Sequence, residues 1–335
     1  MVVKFGAGPF NCQSDDGGPA AGRLQSAIPE WAEVAEAEGL DGFWLAEHHF
    51  SPDGYSSSIF PLLGAVAART SRITIGTKVL LAPLYHPLRL AEDAAQVAGL
   101  SAGRFILGVA LGYRPEEYAA FGVDRRRRAA LLEDAVAVCR AAWRGERFDY
   151  RSRLIDLRDI VCRPAPEVAP PIFLGGKARA ALVRAARIAD GYIPSSGADA
   201  EILDRVGTVD REAGDRGPLP LVTGVMAAVS TDAVESSSLV DGVRQVLSTY
   251  EKWLESAGDT YTGSAGLDPA SSYVANGGPD DVARVVARIA ASFPGRTQHL
   301  TARLDYPGMS RDDVTRHIRR YAREVVPRVR EMIAV

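Results

Sequence analysis

Short runs of Val, Ile, Leu and Phe alternate with longer amphipathic stretches along nearly the whole chain. Runs near 3–6, 42–46, 73–79, 105–110, 172–175, 191–194, 220–227 and 297–303 are apolar at successive positions, the pattern of strands buried on both faces. Between them, apolar residues recur at helical spacing near 26–38, 58–69, 87–99, 127–143, 178–189, 200–213, 233–256 and 280–292, and a last helix is predicted near 310–330. Over 178–189, Ala181, Leu182, Ala185 and Ile188 share one face, with Arg179, Arg184 and Arg187 outside it. Eight such strand–helix pairs predict an α/β fold, a closed (β/α)₈ TIM barrel; a doubly wound open sheet is the alternative. A dinucleotide fingerprint would favour the open sheet. The nearest candidate, Gly6-Ala7-Gly8-Pro9-Phe10-Asn11, lacks the third glycine and runs into a polar loop.

Two segments interrupt the alternation. Residues 146–171 carry Tyr150, Leu154, Ile155, Leu157 and Ile160 in a strand-like pattern and end in prolines, which predicts a hairpin excursion. Residues 257–279 are rich in Gly, Ser and Pro and read as a long insertion, a length that is functional or disordered in compact domains. No repeat divides the chain, so residues 1–335 read as one barrel domain with insertions.

Composition narrows the class further. Charged residues make up 24% of the 335 residues and the net charge is −3, which offers no global attraction to nucleic acid or an anionic membrane. Cys12, Cys139 and Cys162 are scattered and odd in number, against a disulfide framework. The N-terminus reads as a strand and no apolar run is long enough for a membrane span. A reduced, cytoplasmic enzyme is expected.

Candidate chemistry lies at the predicted carboxyl ends of strands, where barrels place their sites. Glu47-His48-His49 follows the second strand and holds two of the five histidines. The other three, His86, His299 and His317, form no metal-ligand spacing with them, so no metal is expected. Leu174-Gly175-Gly176-Lys177-Ala178 runs from a strand through paired glycines into a helix. Amides at a helix start bind phosphate, and Lys177 adds charge. Gly76-Thr77-Lys78-Val79 and Gly108-Val109-Ala110-Leu111-Gly112-Tyr113 end two further strands with small residues, leaving room for a planar ligand. Arg125 to Arg128 reads as a solvated turn balanced by Glu116, Glu117, Asp124 and Glu133. Phe10, Phe50, Tyr55, Tyr113 and Tyr261 suggest an apolar cavity.

Taken together, these segments resemble the bacterial luciferase-like flavin-dependent monooxygenases. The similarity runs through Gly39–Phe50, Pro52–Tyr55, Arg72–Thr77, His86–Asp93, Gly103–Phe105, Phe121–Asp124, Pro171–Gly176, Ala189–Tyr192 and Tyr306–Ser310, in order, over residues 3 to 330. The resemblance implies FMN across the strand ends and His48 near the flavin C4a, with His49 beside it as a second catalytic candidate. It also implies a non-proline cis peptide at Lys78–Val79 supporting the ring, Ala110, Leu111, Gly112 and Tyr113 along the ring edge, and Gly175, Gly176 and Lys177 on the phosphate. The 257–279 insertion would be mobile and cover the site.

The activity so implied is a two-component monooxygenase. A separate flavin reductase supplies reduced FMN, O₂ forms a C4a-peroxide, and a small apolar substrate is oxidised; a homodimer is the family's common state. Ala110 and Leu111 depart from the cysteine and arginine of luciferase itself. The alternatives are an F420-dependent hydride-transfer enzyme and a non-catalytic flavin-binding subunit. Because the deazaflavin relatives more often carry Asp before the histidine, Glu47 points to FMN.

Overall fold

The computed structural model describes residues 2–14, 18–195, 197, 199–258 and 273–334. Eight parallel strands close into a barrel in chain order: β1 (Val2–Phe10), β2 (Gly42–Leu45), β3 (Thr74–Thr77), β5 (Phe105–Ala110), β8 (Ile172–Gly176), β9 (Gly191–Pro194), β10 (Leu221–Val229) and β12 (Thr297–Arg303). Closure is by β1 on β12, with Val2 opposite Thr297 and Ala7 opposite Ala302. β9 and β10 pair only at Tyr192–Leu221. Farther along β10, the short strand β11 (Val274–Gly277) pairs with Met226–Val229, and β4 (Leu80–Leu81) pairs with β5.

Helices follow the barrel strands and bury their apolar stripes against the strands' outer faces: α1 (Pro19–Ala37), α2 (Ile59–Arg69), α3 (Pro87–Leu100), α4 (Pro115–Ala120) and α5 (Arg128–Ala142), then α6 (Arg179–Ile188), α7 (Asp199–Ala213), α8 (Ala233–Ser256) and α9 (Pro279–Ala291). The C-terminal helix is α10 (Arg311–Arg320) and α11 (Val326–Ile333), joined by one wide π turn over Tyr321–Val325 just before Pro327. Pro327 has no N–H to offer the preceding turn, and the wider turn accommodates it. The expected excursion is the antiparallel hairpin β6 (Phe148–Arg151) and β7 (Asp156–Ile160). Of the expected 257–279 insertion, residues 259–272 lie outside the described residues, whereas 274–277 is strand and 279 begins α9, so the segment is structured at its end. No helix among the described residues is long and apolar enough to cross a membrane.

Inside the barrel, Trp44 packs with Ile106, Phe173, Ile193 and Val222, and Val79 rests on this cluster. The indole fits because its neighbours lack side chains. A Cβ at Gly76 would overlap the ring, and one at Gly42 would come within 2.7 Å of its Nε1. This layer is a packed floor and not a pore. Above it the strand ends diverge.

Candidate active site

A cavity of about 430 Å³ opens at the carboxyl ends of the strands. Its walls come from Ala46–His48 after β2, Lys78–Val79 after β3, Ala110–Tyr113 after β5, Gly175–Ala178 after β8 and Thr223–Met226 on β10. The chain positions brought together are far apart in sequence but adjacent around the barrel. Of the residues singled out from sequence, His48, Lys78, Val79, Ala110, Leu111, Gly112, Tyr113, Gly175, Gly176 and Lys177 all line this cavity, and His49 does not.

One end of the cavity is a narrow slot. A Cβ at Gly175 would sit 3.3 Å from Val79 Cγ1 and 3.4 Å from Ala110 Cβ, so larger side chains would close it. The Lys78–Val79 peptide is cis. Its place is set by Lys78 N–H donating to Leu45 O (2.7 Å) and by Glu47 N–H donating to Val79 O (3.2 Å).

His48 stands at the mouth of the slot within an aromatic enclosure. Its ring centroid lies 4.9 Å from Trp253, 5.0 Å from Tyr55, 5.7 Å from Tyr250 and 6.3 Å from Tyr113. Arg114 closes the enclosure from behind, its guanidinium 4.4 Å above the Trp253 ring. Glu117 is buried beside this group, with Oε1 at 3.9 Å from His48 Nδ1, an ion-pair distance and too long for a hydrogen bond. The same oxygen accepts the His49 N–H at 3.0 Å and faces Arg114 at 3.4 Å. Burial opposes ionisation of Glu117, but His48, the His49 amide and Arg114 outweigh it and hold the carboxyl below its usual range. Burial, reinforced by the neighbouring Tyr250 phenol, pushes the Tyr55 and Tyr113 hydroxyls up, so both stay protonated donors.

His49 turns away from the cavity. Its ring meets Phe121 at 4.8 Å, and its Nε2 lies 3.2 Å from Glu47 Oε1. Glu47, fully buried, also accepts the Leu81 N–H at 2.6 Å and the Tyr85 hydroxyl. It therefore anchors β4 to the end of β2.

The other end of the cavity is cationic. Gly175–Gly176 leads through Lys177 to the start of α6, and Gly176 takes φ 155° with Ala181 packed where a side chain would go. Arg125 and Arg128 also line the cavity, as does Asp199. This corrects the expectation of a solvated arginine turn. The run divides, with Arg126 and Arg127 pairing with Asp124 outside while Arg125 and Arg128 face inward. Their i, i+3 spacing at a helix start was the available signal.

Two further inward residues were not legible. Arg303 on β12 is 3% exposed, donates to Gln13 Oε1 (2.8 Å) and Asp305 O (3.0 Å), and lies 3.7 Å from the Asp305 carboxylate. Tyr250 comes from the middle of α8. Among the aromatics expected to wall the cavity, Phe10 is instead core, stacked on Phe43 at 4.7 Å, and Phe50 is 57% exposed. Tyr261 lies outside the described residues.

A family model for luciferase-like monooxygenases matches residues 5–306. The chain belongs to the luciferase-like monooxygenase family. Among relatives of this family, an F420-dependent glucose-6-phosphate dehydrogenase from Microbacterium testaceum is 31% identical over 60% of this chain and 59% of its own length. The chain thus matches little more than half of that relative. Among solved structures, a monooxygenase from Streptomyces bottropensis superposes with a TM-score of 0.83 at 24% identity, over 97% of this chain and 99% of its own. An F420-dependent secondary alcohol dehydrogenase superposes at 0.75 with 19% identity, over 98% and 99%. These two likenesses show the luciferase-like barrel itself.

Proposed function

We propose that the protein is an oxidoreductase whose cavity binds a phosphorylated flavin-type ring, with deazaflavin F420 and hydride transfer ahead of FMN and oxygen chemistry. One observation carries the reading. A single cavity holds both an apolar slot, lined by Val79, Ala110 and Gly175, and the side chains of Lys177, Arg125 and Arg128 with the start of α6. A flat ring with an anionic tail fits that pairing of shape and charge. The buried Tyr113 hydroxyl has no hydrogen-bond partner among the described residues, as expected of a group that serves a ligand.

F420 leads because the Microbacterium testaceum relative carries that dependence in its name. The ring, when bound, supplies the site for the transferred electron pair. His48 would move the proton between its imidazole and the substrate atom being oxidised or reduced, with Glu117 steadying the imidazole and Tyr113 orienting the substrate. Tyr250 and Trp253 exclude water from that exchange.

The second reading is an FMN-dependent monooxygenase fed by a separate reductase. The closure of four aromatic rings around His48 favours it, because oxygen chemistry on reduced flavin requires a dry site. Fluorescence titration with FMN and F420, followed by turnover with and without oxygen, separates the two. F420 binding with anaerobic turnover supports the first; FMN binding with strict oxygen dependence replaces it with the second.

A further inference from the structure

Lys78 is expected from sequence only as one half of a cis peptide. Its side chain does something else. It leaves the end of β3 and crosses the barrel interior to the opposite wall, where Nζ donates to Thr301 Oγ1 on β12 (2.8 Å) and to Thr223 O on β10 (3.1 Å). Gly224 makes this possible, since a Cβ there would overlap the Nζ. The amine so placed lines the cavity floor next to Val79, beneath the slot.

Both partners of Lys78 are neutral acceptors. The ionisable groups on the surrounding elements are committed elsewhere or face away. Glu47 is held by Leu81, Tyr85 and His49. Arg303 has Asp305, and His299 lies edge-on to Trp44 at 5.6 Å. His48 stands above the slot, beside Glu117. A buried ammonium without a carboxylate is costly, and burial alone lowers the Lys78 pKa to about 7. An anion that arrives with the ligand would favour the protonated amine at this position.

On the reading of the cavity as a flavin-type site, we infer that Lys78 supplies the charge that makes the site prefer the reduced ring, which carries one more negative charge than the oxidised one. Reduction of the ring by a hydride adds two electrons and one proton and leaves a negative charge delocalised over its N1–C2=O edge. With a ring bound, the Lys78 ammonium would keep its proton on Nζ and offset that added charge. A cation near this edge raises the potential of a bound ring. The charge is a tuning group and takes no part in the proton transfer assigned to His48.

The test is the ratio of dissociation constants for the oxidised and reduced ring. It is measured anaerobically with FMN and with F420, in wild type, Lys78→Met and Gly224→Ala. Met fills the same space without charge, and Ala at 224 displaces the amine without removing it. Both variants should lose about tenfold of the preference for the reduced ring, a fall of about 30 mV in the two-electron potential. In the wild type the preference should decline as pH rises from about 7 to about 8, where Lys78 loses its proton in the oxidised complex before the reduced one, since a tenfold preference is about one unit of pKa; in Lys78→Met this dependence should be absent. Rings that bind with unchanged ratios and unchanged pH dependence in both variants overturn the role of Lys78 alone. Failure of the wild type to bind either ring overturns the reading of the site as well.

Discussion

Replacing Glu47 by Ala tests whether the strand-end scaffold is held as described. The carboxylate is buried and accepts the Leu81 N–H at 2.6 Å, the Tyr85 hydroxyl and, at ion-pair distance, His49. Its removal strands one buried amide and one half-buried phenol. Each unsatisfied group costs roughly 1–3 kcal/mol, and relief from burying the carboxylate returns part of the sum, so a net loss of about 3 kcal/mol is expected. At roughly 2.1 cal/mol/K per residue, 335 residues unfold with an entropy of about 0.7 kcal/mol/K, so Tm should fall by about 4 °C. Glu47→Gln retains an acceptor for Leu81 and should lose about half as much. Because Leu81 lines the cavity, ring affinity should fall with stability in Glu47→Ala. Calorimetry of the three proteins at neutral pH reads both variants. A change in Tm of less than about 1 °C in Glu47→Ala would refute the assignment of Glu47 as the anchor of β4.

Other expectations follow from the same geometry. Arg125→Ala combined with Arg128→Ala should weaken binding of FMN roughly 10- to 100-fold and leave riboflavin binding unchanged, since only the tail loses charged partners; equal losses for both ligands would place the arginines elsewhere. His48→Ala should still bind the ring in a fluorescence titration but lose turnover, and full turnover would remove His48 from the proton path. Gly76→Ala should fail to fold or lose several kcal/mol in denaturant titration, because the new methyl overlaps Trp44, and native-like stability would show that the barrel interior has slack. Burial lowers the pKa of His299 and of His317 to about 4, below the unfolded value of 6.5. Their contribution is therefore complete above pH 6.5 and is lost as pH falls toward 4, by up to about 3 kcal/mol each. His317 accepts the Val229 N–H at Nε2 (3.0 Å), so His317→Gln should flatten part of that acid slope, and an unchanged slope would show that His317 does not carry it.

The eight strands and their helices were legible because alternation of buried strands and amphipathic helices is a local pattern. The hairpin at 148–160 was legible for the same reason. Residues at strand ends were legible as candidates because a barrel collects those ends at one face, which brings Val79, Ala110 and Gly175 together. What stayed hidden depends on direction and distance. His48 and His49 are adjacent, yet only one faces the cavity, and no periodicity specifies which. Tyr250 and Trp253 read as the apolar stripe of an ordinary helix, and their contact with His48 spans about two hundred residues. Arg303 reads as the end of a core strand until Gln13 and Asp305 are seen to hold it inward. The role of Glu47 was hidden too, since its carboxylate is bonded to Leu81 and Tyr85 of the scaffold.

The central claim is that one cavity binds a phosphorylated flavin-type ring for electron-pair transfer. Anaerobic equilibrium titration of the purified protein with F420 and with FMN, each in both redox states, tests it most directly. Saturable binding of at least one ring is expected, F420 ahead of FMN, tighter in the reduced state and weakened by loss of Arg125 and Arg128. Binding of neither ring in either state, by a folded protein, would contradict it.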